Sequence, residues 1–298
     1  MNPRQHKRRP VLSWLQLSFL LLGVTLPGLA LSQPDSTDDG VQDFRAFWHR
    51  KPAVSVFYGV THTSWNALNF SIPNPGIAEL RLGAILKDYR DEDPHTLRGR
   101  FDYLSFMNIS SRLGTRALPG DANIDLWRLG MAREKRYGYE LGSPSGEQAF
   151  ILYHGSGAGW SRLTVKDNID IPADSAQLAL YEGRFRFGTN MEAGMNLRLL
   201  PGFEITLAYE RDIVFRRHQV GKWLGSVLTE EAGQWLVDRI VHHIVKSSPR
   251  AGPLAAFLLE NGLSFALYQL RHEQMFFPFS SESPLANDSF KVGMTILF

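Results

Sequence analysis

A histidine and a serine near the start of the chain have the spacing of a nucleophile and its base. They are His62 and Ser64, in the stretch His-Thr-Ser-Trp-Asn at residues 62–66. In an extended strand, residues two positions apart point to the same side and lie about 7 Å apart along the strand. The imidazole could therefore act as general base for the serine hydroxyl. The end of a strand at a membrane interface is the alternative interpretation of the same residues.

A second stretch carries side chains that could bind a metal. Asp238 and His242 are four residues apart, with His243 beside them, so a helix would place the carboxylate and one imidazole on the same face. That face supplies two ligands at most, and the remaining ligands of a metal site are not identifiable in the sequence. The alternative is that these residues form the solvated polar face of a helix. No cofactor is predicted.

A glycine-rich stretch at residues 153–160 surrounds Ser156 but fits neither of two catalytic patterns. It lacks the Gly-x-Ser-x-Gly spacing of a nucleophile turn and the Gly-Lys-Ser/Thr of a phosphate loop. We interpret it as a loop that leaves a strand.

The elements that would position these residues are strands with one apolar and one polar face. Alternation is clearest over residues 178–211, with turns expected at Thr189-Asn190 and Pro201-Gly202. This pattern predicts three consecutive antiparallel strands. Their polar face carries Glu182, Arg184, Arg186, Glu192, Arg198, Glu204 and Glu210. Mixed charges on neighbouring strands favour an interior filled by ion pairs over an open pore.

Helical periodicity replaces this alternation over residues 226–262. Thr229 can cap a first helix, Ser247-Ser248-Pro249 would end it, and Pro253 suits the first turn of a second helix that ends at Asn261-Gly262. We predict a helical hairpin before the last two strands, because residues 263–270 are interpreted as a strand. The hairpin could fill the lumen, lie in the periplasm with a partner there, or contact the inner leaflet.

The last ten residues, 289–298, alternate again and end on an aromatic residue. The apolar positions are Phe290, Val292, Met294, Ile296 and Phe298. Lys291, Gly293, Ile296 and Phe298 match in order the final strand of Gram-negative outer-membrane β-barrels, which this segment resembles. The resemblance implies location in the cell outer membrane, contact with outer-membrane lipids, and recognition by the barrel-assembly machinery.

Counting the candidates gives about ten strands, within a range of 8–12, in an all-β, antiparallel, up-and-down transmembrane barrel at residues 53–298. An even number is expected for bacterial single-chain barrels. Residues 1–30, with a basic start, an apolar core and a small-x-small end, are predicted to be a signal peptide. Residues 31–52 are expected to be a flexible tail. The absence of cysteine excludes disulfides, thiolate metal sites and a lipid anchor, and the charge balance suggests no nucleic-acid partner.

The first functional hypothesis is a barrel without an evident catalytic site, with a structural, adhesive or narrow-transport role. The alternative is an outer-membrane lipid hydrolase that uses Ser64 and His62. Their stretch is similar to the His-x-Ser-Asn of outer-membrane phospholipase A and lipid A deacylase, but Trp65 intervenes before Asn66. A second alternative is a secreted soluble barrel that binds a ligand with its apolar faces inward.

Overall fold

The computed structural model describes residues 50–64, 74–90, 95–114, 123–142, 148–165, 179–217 and 219–298. The predicted signal peptide and most of the predicted tail lie outside these ranges. The end of that tail is structured, because the first strand begins at Arg50 and includes Lys51 and Pro52.

Eight antiparallel strands close into a barrel in which each strand pairs with its neighbours in sequence and the last pairs with the first. They are β1 (Arg50–Ser64), β2 (Gly76–Arg90), β3 (Thr96–Ser110), β4 (Ile124–Glu140), β5 (Ala149–Val165), β6 (Phe185–Leu200), β7 (Phe203–Val214) and β8 (Leu285–Leu297). The predicted up-and-down barrel is confirmed, but it has eight strands. The end at which the chain terminates is called the terminal rim, and the end at which β1, β3, β5 and β7 finish is called the distal rim.

One of the two extra predicted strands disappears because the turn expected at Thr189-Asn190 does not form. Thr189 pairs with Ala158 on one side and Ile213 on the other, so β6 continues through it. The Asn190 side chain points inward and its amide donates to Glu210 at 2.8 Å. Residues 179–183, predicted as strand, form turns instead.

The other extra strand, predicted at residues 263–270, is helical. Two helices lie between β7 and β8, namely α1 (Val220–Ser247) and α2 (Gly252–Glu273), joined through a short 3-10 helix (Pro249–Ala251). Asn261 was the expected end of the second helix. Its side-chain nitrogen donates to Phe257 O within α2, and its side-chain oxygen contacts Nδ1 of His154 on β5. The asparagine therefore secures the helix to the barrel, and α2 continues to Glu273. The hairpin precedes only the last strand.

The barrel is apolar outside and polar within. Outward side chains that are exposed include Val56, Leu80, Leu129, Leu197, Leu207 and Val292, as the alternation predicted. The exception is β3. Its alternation over residues 101–109 predicts Phe101 and Tyr103 on the outer, apolar face, but both point into the lumen. The Tyr103 ring lies 4.6 Å from the guanidinium carbon of Arg81, which explains why the interior accepts it. Among the described residues, no helix combines the length and apolarity needed to span a bilayer.

Candidate functional site in the lumen and on the outer wall

A buried lysine and three glutamates from different strands occupy the middle of the lumen. Lys291 Nζ of β8 donates to Glu79 Oε2 at 2.7 Å and to Glu192 Oε2 at 2.6 Å, and it also donates to Glu210. All four side chains are buried. Their inward direction follows from the two-residue period of a strand, since each is preceded by an outward residue that is apolar, namely Ala78, Met191, Tyr209 and Phe290.

Arg81 is the second cation of this network. Its Nε and one terminal nitrogen donate to Glu79 at 3.0 and 2.9 Å. Its two terminal nitrogens donate to Glu192 at 2.9 and 2.5 Å, and Nη1 also donates to Glu134 at 2.9 Å. The Phe57 ring lies 4.1 Å from the guanidinium carbon. Paired charges with satisfied donors are the condition under which ionised groups are tolerated in a buried site.

Further ion pairs extend this network toward both rims. Toward the distal rim, Arg128 contacts Glu210 at 3.0 Å and Asp212 at 2.9 Å. Toward the terminal rim, Arg136 contacts Glu204 at 2.5 Å. We call this set of ion pairs the luminal network. It links strands from all sides of the barrel and therefore ties the wall together across the lumen.

Apolar layers close the lumen above and below the luminal network. At the distal rim the layer consists of Ile77, Met107, Ile109, Ile124, Leu126, Leu163, Tyr181, Val214 and Leu285. At the terminal rim it consists of Ala53, Ile85, Phe101 and Tyr103, with Ala132 and Leu297 beside them. A cavity between the luminal network and the apolar layer at the terminal rim is lined by residues that include Phe57 and Glu134. It measures about 10 Å³, which is room for about one water molecule. In the described part of the chain, ion pairs and apolar side chains thus occupy the lumen from one rim to the other.

The geometry of the three glutamates would suit a metal, but a lysine lies among them. Oxygens of Glu79, Glu192 and Glu210 lie within 4.8 Å of one another. The Lys291 ammonium donates to all three carboxylates. The cluster is therefore an ammonium site built from the chain itself, and its chemical role is cross-strand pairing.

The helical hairpin lies against the outside of the barrel. Outward residues of β4 and β5 contact it: Lys135 Nζ donates to Asp238 at 2.9 Å, Tyr137 OH donates to Glu260 Oε1 at 2.7 Å, and His154 Nδ1 is 2.9 Å from Asn261 Oδ1. These strand residues have the same outward parity as Trp127 and Trp160. The expectation that the hairpin could fill the lumen is wrong.

The wall beneath the hairpin differs from the rest of the outer surface. Lys135, Tyr137 and His154 are polar, whereas outward residues such as Val56, Leu207 and Val292 are apolar, and His154 is only 5% exposed. Tyr137 also packs against Val241 of α1 and Ala256 of α2. An uncovered polar strip would be costly in hydrocarbon. The hairpin is therefore a fixed part of the wall.

The structure does not join the two residues predicted as a catalytic pair. His62 and Ser64 both point outward near the distal rim, but His62 Nδ1 lies 3.2 Å from Asn74 Oδ1. Ser64 Oγ instead lies 3.2 Å from Nε2 of His272, near the end of α2. The sequence contains no local signal for this partner, which is 208 positions away. Trp65 and Asn66 lie outside the described residues.

The other predicted candidates also have different surroundings from those expected. Asp238 is paired with Lys135, while His242 and His243 are exposed on α1. The metal-compatible group found in the described part of the chain does not include them. The glycine-rich stretch is the middle of β5 and not a loop. The sequence analysis does not name Lys291 and Arg81 as site residues. Their charge at inward positions of strands is the sequence feature that could have indicated them.

Comparison with known proteins gives only distant similarities. No protein-family model and no curated protein matches the sequence. Among solved structures, neisserial surface protein A is similar with a TM-score of 0.41 and 8% identity, over 83% of this chain and 97% of that one. The attachment invasion locus protein Ail of Yersinia pestis, in complex with the heparin analogue sucrose octasulfate, has a TM-score of 0.35 and 9% identity, over 84% and 99% of the two chains.

The assignment rests on the geometry of the chain itself. Closure leaves no free strand edge, so the backbone groups of the strands pair with one another, as a bilayer requires. The even strand number, the outward apolar side chains and the ionised interior are the features of bacterial single-chain barrels. Together they give the chain the architecture of a transmembrane β-barrel.

Proposed function

We propose that the protein has a structural, non-conducting role in the outer membrane, as a closed barrel that holds a helical hairpin against its outer wall. The observation that carries this proposal is the occupied lumen. Lys291 and Arg81 with their glutamate partners fill its middle, and apolar layers cover both ends. Of the three roles considered from sequence, narrow transport is the least compatible with this interior.

The attachment of the hairpin to the barrel favours a structural role over a role as a moving element. It leaves and rejoins the barrel at the distal rim, where β7 ends at Val214 and β8 begins at Leu285. Along its length it is bonded to the wall at several levels, from Tyr139 OH to Arg250 O at 2.9 Å up to Ser64 and His272. If the assembly machinery inserts the barrel through its final strand, the hairpin enters the membrane together with the barrel. Barrel and hairpin then act as one rigid unit.

The test is electrical. Protein refolded in detergent is inserted into planar bilayers, and insertion is confirmed separately by flotation with liposomes and by heat-modifiable gel mobility. We expect folded, inserted protein to give no steady conductance. Stepwise, reproducible conductance from folded protein would contradict the non-conducting role.

A further inference from the structure

An open, positively charged pocket lies at the distal rim, where the chain leaves β7 and enters α1. It has a volume of about 410 Å³. Its lining residues are Arg217, Gln219, Lys222, Met275, Ser280, Ser281 and Glu282. One wall is the start of α1 and the other is the segment that returns from α2 to β8. The luminal network and the contacts between hairpin and wall do not use this pocket.

The pocket carries more positive than negative charge. Glu282 accepts from Arg216 at 2.9 Å and is 4.0 Å from Arg217, so one carboxylate faces two guanidinium groups. Lys222 Nζ donates to the backbone oxygen of Ser280 at 2.9 Å and keeps further donors free for a ligand. The Arg217 side chain is 61% exposed. The pocket therefore offers accessible cationic donors to an anion.

A further guanidinium group lies beside the pocket. Arg216 shares the carboxylate of Glu282 with Arg217. The Nε atom of Arg216 is a buried donor that has no hydrogen-bond acceptor in the described part of the chain. Buried donors without an acceptor are uncommon in native proteins and often indicate a bound group. The unpaired donor of Arg216 and the surplus positive charge favour an anionic ligand with several oxygens.

An aromatic cluster fixes the level of the pocket relative to the membrane. Phe187 contacts Trp160 and Trp223, each with ring centroids 5.5 Å apart, and all three rings are partly exposed. Trp223 immediately follows Lys222 of the pocket. Aromatic girdles of transmembrane barrels lie at the boundary between hydrocarbon and headgroups. The basic residues next to the cluster are therefore at headgroup level.

We propose that this pocket binds the phosphate group of a membrane lipid, with Arg217 and Lys222 as the direct ligands and Arg216 as supporting charge. The acyl chains would run along the aromatic cluster. Phosphate suits guanidinium and ammonium donors, which recognise its oxygens through charge-assisted hydrogen bonds. The proposal rests on the membrane location of the barrel and is independent of whether the lumen conducts.

The binding experiment compares two lipids that differ only in phosphate. Delipidated protein in neutral detergent is titrated with dioleoyl phosphatidic acid or with dioleoylglycerol, and the bound lipid is counted by native mass spectrometry. We expect saturable binding of one phosphatidic acid and no comparable binding of dioleoylglycerol. The double substitution Arg217→Gln with Lys222→Gln should weaken phosphatidic acid binding about tenfold or more, since a hydrogen bond to a charged group contributes about 1.5–3 kcal/mol.

Matched controls separate the pocket from general surface charge. Arg50→Gln with Lys51→Gln removes two exposed cations at the terminal rim and should change the affinity less than about twofold. Heat-modifiable mobility verifies that each variant is folded. Equal affinity of the pocket variant and the native protein, or equal binding of the two lipids, would overturn the proposal. Inorganic phosphate that competes at the lipid's own concentration would show that a soluble anion, and not a lipid, is the ligand.

Discussion

Lys135 Nζ donates to both carboxylate oxygens of Asp238, at 2.9 and 3.1 Å, and thereby bonds the outer face of β4 to the helical hairpin. Lys135 pairs in register with His154 of β5, whose ring contacts Asn261 of α2. The neighbouring luminal positions, Glu134 and Arg136, point the other way, into the ion pairs. The hairpin and the luminal network are thus on opposite sides of one sheet.

The first prediction concerns this external position. The chain has no cysteine, so single nitroxide labels can be placed without removing native thiols. A label at Leu258→Cys, on the exposed face of α2, should be as accessible to lipid-dissolved oxygen as one at Leu207→Cys on the bare wall, where the native leucine is 50% exposed. Electron paramagnetic resonance of liposome-inserted protein measures both. Oxygen accessibility at position 258 far below that at 207 would argue for a covered or luminal hairpin.

The second prediction concerns the charge at the centre of the barrel. Lys291→Met leaves Glu79, Glu192 and Glu210 without the ammonium that all three share. Removing one partner of a buried ionic group typically lowers the free energy of unfolding by about 3–5 kcal/mol. Urea unfolding in detergent, starting from refolded protein, measures this loss without involving cellular assembly.

Two companion variants make the Lys291 result specific. Lys51→Met removes an exposed lysine from β1 and should cost about 0.5 kcal/mol or less. Adding Glu210→Gln to Lys291→Met should recover part of the lost stability, because fewer unpaired negative charges remain in the lumen. If Lys291→Met is no worse than Lys51→Met, the luminal network is not what stabilises the barrel.

The third prediction separates the hairpin from closure of the lumen. Deletion of residues 220–273 with a short linker should leave the barrel electrically silent, because α1 and α2 lie outside and the luminal network with its apolar layers remains. The same deletion should lower stability and increase aggregation, since it uncovers Lys135 and His154 on the wall. Planar-bilayer recordings and urea unfolding report the two effects. A pore that opens on deletion would mean that the hairpin blocks the lumen.

The fourth prediction concerns Ser64. Its hydrogen bond to His272 fastens the end of α2 to β1, so Ser64→Ala should lower the free energy of unfolding by about 1 kcal/mol. We expect the refolded native protein to release no fatty acid from phospholipid, and Ser64→Ala to behave in the same way. Release by the native protein that is lost in Ser64→Ala and His272→Ala would instead favour the lipid hydrolase.

The sequence alone predicted the apolar outer surface of this barrel. A strand directs successive side chains to opposite faces, so the alternation in residues 289–298 and around Leu207 shows the outward apolar surface without any knowledge of the partners. It also placed Glu192, Glu204 and Glu210 together on the inner face. The face of β3 could not be assigned in this way, because its inward residues Phe101, Tyr103 and Met107 are apolar too.

Only the tertiary structure decided the strand number, the location of the hairpin and the partners of the charged residues. Thr189-Asn190 and Asn261-Gly262 have turn chemistry, yet cross-strand pairing and the contact with His154 keep the first in a strand and the second in a helix. The bonds from Lys291 to Glu79 and from Ser64 to His272 join residues more than 200 positions apart. Local patterns record which face a side chain occupies, whereas barrel closure determines which residues meet across that face.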